Sequence, residues 1–208
     1  EEHALEAVPY FVGGICFTVG SYLGLLELIN APNMRDRIKA YWLPCSRHKW
    51  RRLREFVSWE PVAGYTAYFI GAVFFNVDTV GGFSKLTDTE GELIVWGPAI
   101  LGATGFVVGS LLECHLNRVW RCQTCKGAWW LSVSNFLGSL CFLVAGVAGS
   151  CHANGFLASV LVDFMYLIGS VGFTVGALCT MWLWKCEQYG LGFIPEMNVG
   201  ERAQEPDE

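Results

Sequence analysis

Gly102-Ala103-Thr104-Gly105-Phe106-Val107-Val108-Gly109-Ser110 decides the reading of this chain, because its pattern returns four more times. The pattern is a glycine with a small neighbour, phenylalanine four places on, valine two further, then two mostly small residues. The other copies start at Gly13, Gly71, Gly138 and Gly169, with phenylalanine at Phe17, Phe75, Phe142 and Phe173. Each copy lies in an apolar stretch long enough to cross a bilayer, so one unit reads as reused five times as a transmembrane helix. On a helix, positions four and seven apart share a face. Gly13, Gly20, Gly71, Gly102, Gly109, Gly138, Gly169 and Gly176 are therefore expected at helix contacts, where small residues let backbones approach.

The nearly charge-free spans are about residues 8–30, 61–83, 93–116, 128–150 and 156–184, each near the roughly 20 residues that a spanning helix needs. Gly149-Ser150-Cys151-His152-Ala153-Asn154-Gly155 divides the last two with a turn. The expected fold is all-α: a polytopic bundle of five transmembrane helices in a membrane domain over residues 8–186. A short outer segment, 1–7, precedes it and an acidic, flexible tail, 187–208, follows. Composition agrees, since a 208-residue chain that is 53% hydrophobic and 16% charged has more apolar surface than a soluble core of that size buries.

Basic residues favour the non-translocated side of a membrane. Of the 14 Lys and Arg, all but Lys85 fall in the first and third connections or after the last span. The N-terminus is therefore expected outside, and the C-terminus on the positive side: cytosol, matrix or stroma. An organelle inner or energy-transducing membrane fits this topology. The chain starts at Glu1 without methionine, which is consistent with removal of an upstream targeting segment.

The Gly-x-x-x-Phe-x-Val helices, Phe74-Phe75-Asn76-Val77-Asp78-Thr79, Val95-Trp96-Gly97-Pro98 and the acidic residues Glu27 and Glu113 together resemble the YrhK-like integral membrane proteins. The likeness covers most of residues 10–185. It departs at Lys185-Cys186-Glu187 and in the extra cysteines of the basic loops. The resemblance implies a helical membrane fold and no particular chemistry.

Glu27, Asp78 and Glu113 are the candidate polar groups within the membrane, and their spacing from the repeat glycines turns them toward the small-residue face. Ionisable groups in spans often mark proton or ion routes. The plainer expectation is that Glu27 and Glu113 pair with Arg35, Arg118 or Arg51 at the interface, and that Asp78 caps a helix end. Asn135 and Asp163 also lie in spans, with no partner evident from sequence.

Cys45 with His48 and Cys122 with Cys125 form two short ligand pairs on the same side, a set that suits one tetrahedral structural zinc. A disulfide or unpaired thiols are the alternatives. Arg51, Arg52 and Arg54 stand among Trp50, Leu53, Phe56 and Trp59, which suits an interfacial helix on lipid headgroups. Lipid is thus the expected bound molecule and zinc the one metal considered. Nucleic acid is not an expected partner at a net charge of −5. No phosphate loop, Gly-x-Ser-x-Gly or His-Glu-x-x-His motif is present, so no enzyme is expected. The expected role is a non-catalytic accessory subunit of a larger membrane assembly. The alternatives are a small-solute, proton or cation transporter using the carboxylates, and a thiol or zinc-binding membrane protein.

Overall fold

The computed structural model describes residues 2–35, 59–83, 87–122, 124, 126–151 and 156–186, and these are helical apart from turns. Five long helices run antiparallel in sequence: α1 (Glu2–Arg35), α2 (Trp59–Gly81), α3 (Gly97–Leu116), α4 (Gly127–Ser150) and α5 (Phe156–Cys186). Each packs on the next, most closely α2 on α3 and α4 on α5. α1 and α5 meet through rings, with Tyr10 and Tyr166 at 6.2 Å and Phe17 and Phe173 at 5.2 Å between centroids.

Among the described residues four segments are long and apolar enough to cross a membrane: Val8–Asn30, Leu93–Leu116, Gly127–Ser150 and Ser159–Leu183. The sequence led us to expect five. α2 is long enough, at 23 residues, but Tyr65, Tyr68, Asn76 and Asp78 dilute its apolar side chains.

The two tight hairpins are built alike. A methyl group on Gly71 would sit 2.7 Å from the Gly102 carbonyl oxygen, and one on Gly138 would sit 2.9 Å from that of Gly169. On Gly105 it would meet the Ala67 carbonyl oxygen and Gly71 Cα at 2.9 Å; on Gly172, the Ser134 carbonyl oxygen at 3.0 Å and Gly138 Cα at 3.1 Å. Every residue named for the second hairpin stands 67 places after its counterpart in the first, as with 71 and 138 or 102 and 169. Thus α2–α3 and α4–α5 are tandem copies of one hairpin, with α1 added against α2.

The repeat phenylalanines converge from all five helices. Phe17 lies 4.9 Å from Phe106 between centroids. Phe75 lies 5.6 Å from Phe142, and Phe173 lies 5.6 Å from both Phe106 and Phe142. Tilted and edge-on ring pairs at such spacings are favourable beyond their buried area. Phe106 and Phe142 are buried, the former 3% exposed. The bundle therefore centres on rings, and its backbones close around them where glycine allows.

α1 joins differently. Gly13 and Gly20 are exposed and face open space, whereas Gly14 accepts the Asn76 amide against its Cα and Gly24 lies under the Tyr65 ring. Asn76 Nδ2 donates to Thr18 Oγ1 at 2.5 Å and to the carbonyl oxygens of Ala72 and Gly14 at 3.0 and 3.3 Å. Its Oδ1 is buried with no hydrogen-bond partner.

The approach to α3 starts with a helical turn, Asp88–Gly91, and a π-helical turn, Glu92–Trp96. Thr87 and Glu90 cap it reciprocally. Glu90 Oε2 accepts from the Thr87 N–H at 3.0 Å and hydroxyl at 2.8 Å, and Thr87 Oγ1 accepts from the Glu90 N–H at 3.4 Å. These bonds hold the exposed Glu90 carboxyl below its ordinary range. A depressed native pKa gives stability that is present above the unfolded value and lost as pH falls through the native one. Amide exchange over residues 87–91 should therefore accelerate on acidification, and Glu90→Gln should abolish that pH step.

The hairpin crossings make a second prediction. Gly105→Leu and Gly172→Leu should each cost about 1–3 kcal/mol, as overpacking does in close-packed interiors. Gly13→Ala should stay within about 0.5 kcal/mol, as an unobstructed site allows. Unfolding in detergent would compare the three.

Candidate functional site

Glu113 lies one turn from the end of α3, near enough to solvent to reach it, yet is 3% exposed. Its carboxyl is held by uncharged donors from two other helices. Tyr68 of α2 donates its hydroxyl to Oε2 at 2.8 Å. Asn135 of α4 donates Nδ2 to Oε2 at 3.1 Å and to Oε1 at 3.4 Å. Ser132 donates to Oε1 at 3.5 Å and also bonds the Ala128 carbonyl at 3.0 Å, while Asn117 Nδ2 donates to Ser132 Oγ at 2.8 Å.

The expected pairing of Glu113 with Arg118 is corrected by this arrangement. Arg118 is exposed and left-handed at φ 49°, in the turn that leaves α3. The helix has ended there, and none of the hydrogen bonds to the Glu113 carboxyl comes from Arg118. Asn135, for which the sequence suggested no partner, is in fact a principal one.

Tyr68 and Asn135 occupy equivalent positions of the two hairpins, 67 residues apart and each three ahead of a repeat glycine. The glycine that faces each makes this placement sterically feasible. A methyl on Gly109 would lie 2.9 Å from the Tyr68 ring, and one on Gly176 would overlap the Asn135 amide oxygen. Thr180, the counterpart of Glu113, instead donates to the Gly176 carbonyl at 3.1 Å. The convergence is symmetric in its donors and one-sided in its acceptor.

Three cavities lie in series along the gap between α1 and α5. The first, about 530 Å³, sits at the end bearing Arg118, Arg121 and Lys126, and Glu27, Glu113 and Asn135 line it with the rings of Phe17, Tyr65 and Phe173. The second, about 410 Å³, is central and apolar, and shares Phe17 and Phe173 with the first. The third, about 340 Å³, lies at the opposite end, shares Tyr10 and Phe75 with the second, and is lined by both Asp78 and Asp163. Glu27 is exposed into the first cavity, and Asp78 is half-buried in the third. The sequence reading named these carboxylates but did not group Asp163 with Asp78. Nothing in helical periodicity alone brings two non-adjacent helices to one cavity.

Cys122 is exposed, at φ 47° in the turn between α3 and α4. That turn is pinned by indoles, with Trp129 Nε1 donating to the Val119 carbonyl and Trp130 Nε1 to that of Thr124, both at 2.9 Å. The other proposed zinc ligands, Cys45, His48 and Cys125, lie outside the described residues, as do Arg51, Arg52 and Arg54. Among the described residues no three His, Cys, Asp or Glu gather as a metal site. Cys114 turns its thiol to the Ser132 carbonyl at 3.5 Å.

The network around Glu113 makes a coupling prediction. Tyr68→Phe and Glu113→Gln should each destabilise the bundle, and the double variant should lose less than the sum. Interhelical side-chain bonds of this kind average about 0.6 kcal/mol and reach roughly 1.7. A double-mutant cycle by reversible unfolding in detergent measures the difference directly.

Comparison with protein-family models, with curated proteins and with solved structures finds no match, so the resemblance to YrhK-like proteins rests on the motifs of the chain itself.

Proposed function

We propose that this chain is a non-catalytic, multi-pass membrane protein of five spanning helices that carries a monovalent cation, the proton included, with Glu113 as its binding carboxylate. The observation that carries this reading is the burial of Glu113 among uncharged donors beside a cavity that also holds Glu27. Ionisable groups inside a bilayer are costly, face the bundle interior, and commonly mark ion or proton routes. A charge kept for stability alone is better served by a cationic partner, and Glu113 bonds to none among the described residues.

In this reading the N-terminus is outside and the basic connections are inside. The Glu27 and Glu113 cavity then opens toward the positive side, and the Asp78 and Asp163 cavity toward the other. The phenylalanine cluster between them is the barrier. α1 and α5 close it by ring contact. Tandem hairpins in the same orientation about an axis along the membrane normal fit a carrier scaffold, since parallel repeats recur in transporters.

The purified chain in liposomes, with an inside-negative potassium diffusion potential, provides the test. Cation entry is read with a pH dye and a potential-sensitive dye. Wild type should dissipate the potential, and Glu113→Gln should slow it by at least about tenfold with the fold retained. Equal rates in folded wild type and Glu113→Gln would sink the reading, as would no flux from wild type.

One observation favours a second reading, an accessory subunit of a larger membrane assembly. Ser159–Leu183 of α5 is the least buried of the four apolar spans. Phe164, Leu167, Val171, Leu178 and Met181 stand exposed along it, a surface that lipid or a neighbouring subunit would cover. Extraction in mild detergent and native-size separation discriminates: a large stoichiometric complex supports the subunit, and a lone chain removes it.

A further inference from the structure

We infer that the cavity beside Glu113 binds a small organic ammonium ion, one with an apolar substituent, which enters between α1 and α5. The inference rests on the proposal that Glu113 binds the carried cation, and it names the class of that cation.

Size is the first argument. The cavity holds about 530 Å³, within the roughly 300–1,000 Å³ of small-molecule sites. A proton relay has no use for such a volume. A hard metal ion asks for about six to eight oxygens in a tight shell, and here the walls between the oxygens are rings and small aliphatic residues.

Hydrogen-bond polarity is the second argument, and the more selective one. Three donors around the cavity are committed to protein acceptors: Tyr68 and Asn135 to Glu113, and Thr180 to the Gly176 carbonyl. What the wall offers is acceptor in character: the carboxyl groups of Glu27 and Glu113, and the Asn135 amide oxygen held against Gly176. Among the described residues no Lys, Arg or His lines it. Two carboxyl groups in the wall disfavour an anion, whereas a cation that donates hydrogen bonds matches them.

The rings supply the third argument. Phe17, Tyr65, Tyr68 and Phe173 all line the same cavity. A cation over an aromatic face is attracted by the ring quadrupole, more so when desolvated, and this pairing of rings with acidic groups is how proteins recognise alkylammonium ligands. The same rings bury an apolar substituent. The way in lies beside Gly20, which is exposed, lines the cavity and has nothing within 4 Å of where a side chain would begin.

Benzylammonium, which keeps its N–H donors, and its uncharged carbon analogue ethylbenzene are the probes, titrated calorimetrically into the intact chain in nanodiscs. The ammonium should bind saturably and at least about tenfold more tightly than the analogue. Glu113→Gln should erase that preference. Gly20→Leu should block binding while leaving unfolding unchanged, because that position has room; this variant keeps the test decisive if Glu113→Gln does not fold. Equal binding of both probes, or no binding of the ammonium to wild type, overturns the inference. Uptake of labelled ammonium into liposomes separates the two claims. Glu113-dependent proton flux with no ammonium binding rejects the ammonium and keeps the carrier. Glu113-dependent ammonium binding with no flux of any cation keeps the site and rejects carriage.

Discussion

Backbone against backbone at the crossings of Gly71 with Gly102 and of Gly138 with Gly169 is the constraint on which the rest of the structure depends. Glycine removes the one group that would hold the helices apart, and the phenylalanine one turn later then reaches the centre of the bundle. Were the helices an ångström or two further apart, Phe75, Phe106, Phe142 and Phe173 would no longer meet at 5.6–6.4 Å. Tyr68, Ser132 and Asn135 would likewise fall short of Glu113. In a bilayer, where lipid is as apolar as leucine, such close contact is what distinguishes helix association from solvation by lipid. The polar network is thus a consequence of the apolar crossing.

Much of this was legible in the sequence, because a repeated Gly-x-x-x-Phe carries both its period and its face. Helix number among the described residues, the end of α4 at Ser150, and the inward direction of Glu113 all follow from spacing. The 67-residue step from Gly71 to Gly138 and from Gly102 to Gly169 was equally present, and it announces two copies of a hairpin rather than five independent helices. It is easily passed over because one repeat recurs at several different intervals, and the interval that matters is the one shared by two pairs. Asn76 was likewise visible and unassigned. A polar residue in an apolar span needs a partner, but the partner is Thr18 on another helix, and no local pattern names it. Gly13 and Gly14 show the limit of periodicity most clearly: they are neighbours, both small, and the structure uses the second for contact and leaves the first open. A stripe read at four and seven residues fixes a face to within about one residue, and the choice within it depends on where α2 lies.

Duplication followed by divergence explains why the network between the two hairpins has a single carboxylate. The hairpin places a side chain three residues ahead of its glycine, Tyr68 in one copy and Asn135 in the other, and both reach the same centre between the copies. It also offers two positions for an acceptor, Glu113 and Thr180. Two glutamates there would face each other across a small interior and repel, a large cost at low dielectric. One glutamate with a threonine satisfied by its own helix avoids that repulsion, while both donors remain useful. The added helix α1 then places a second carboxylate, Glu27, across the cavity rather than inside the network. One acidic group is fixed by three polar neighbours, Tyr68, Ser132 and Asn135, and the other stands exposed. In the proposed function, the fixed acceptor and the exposed one face a cation from two sides, and the ring cluster closes the far side.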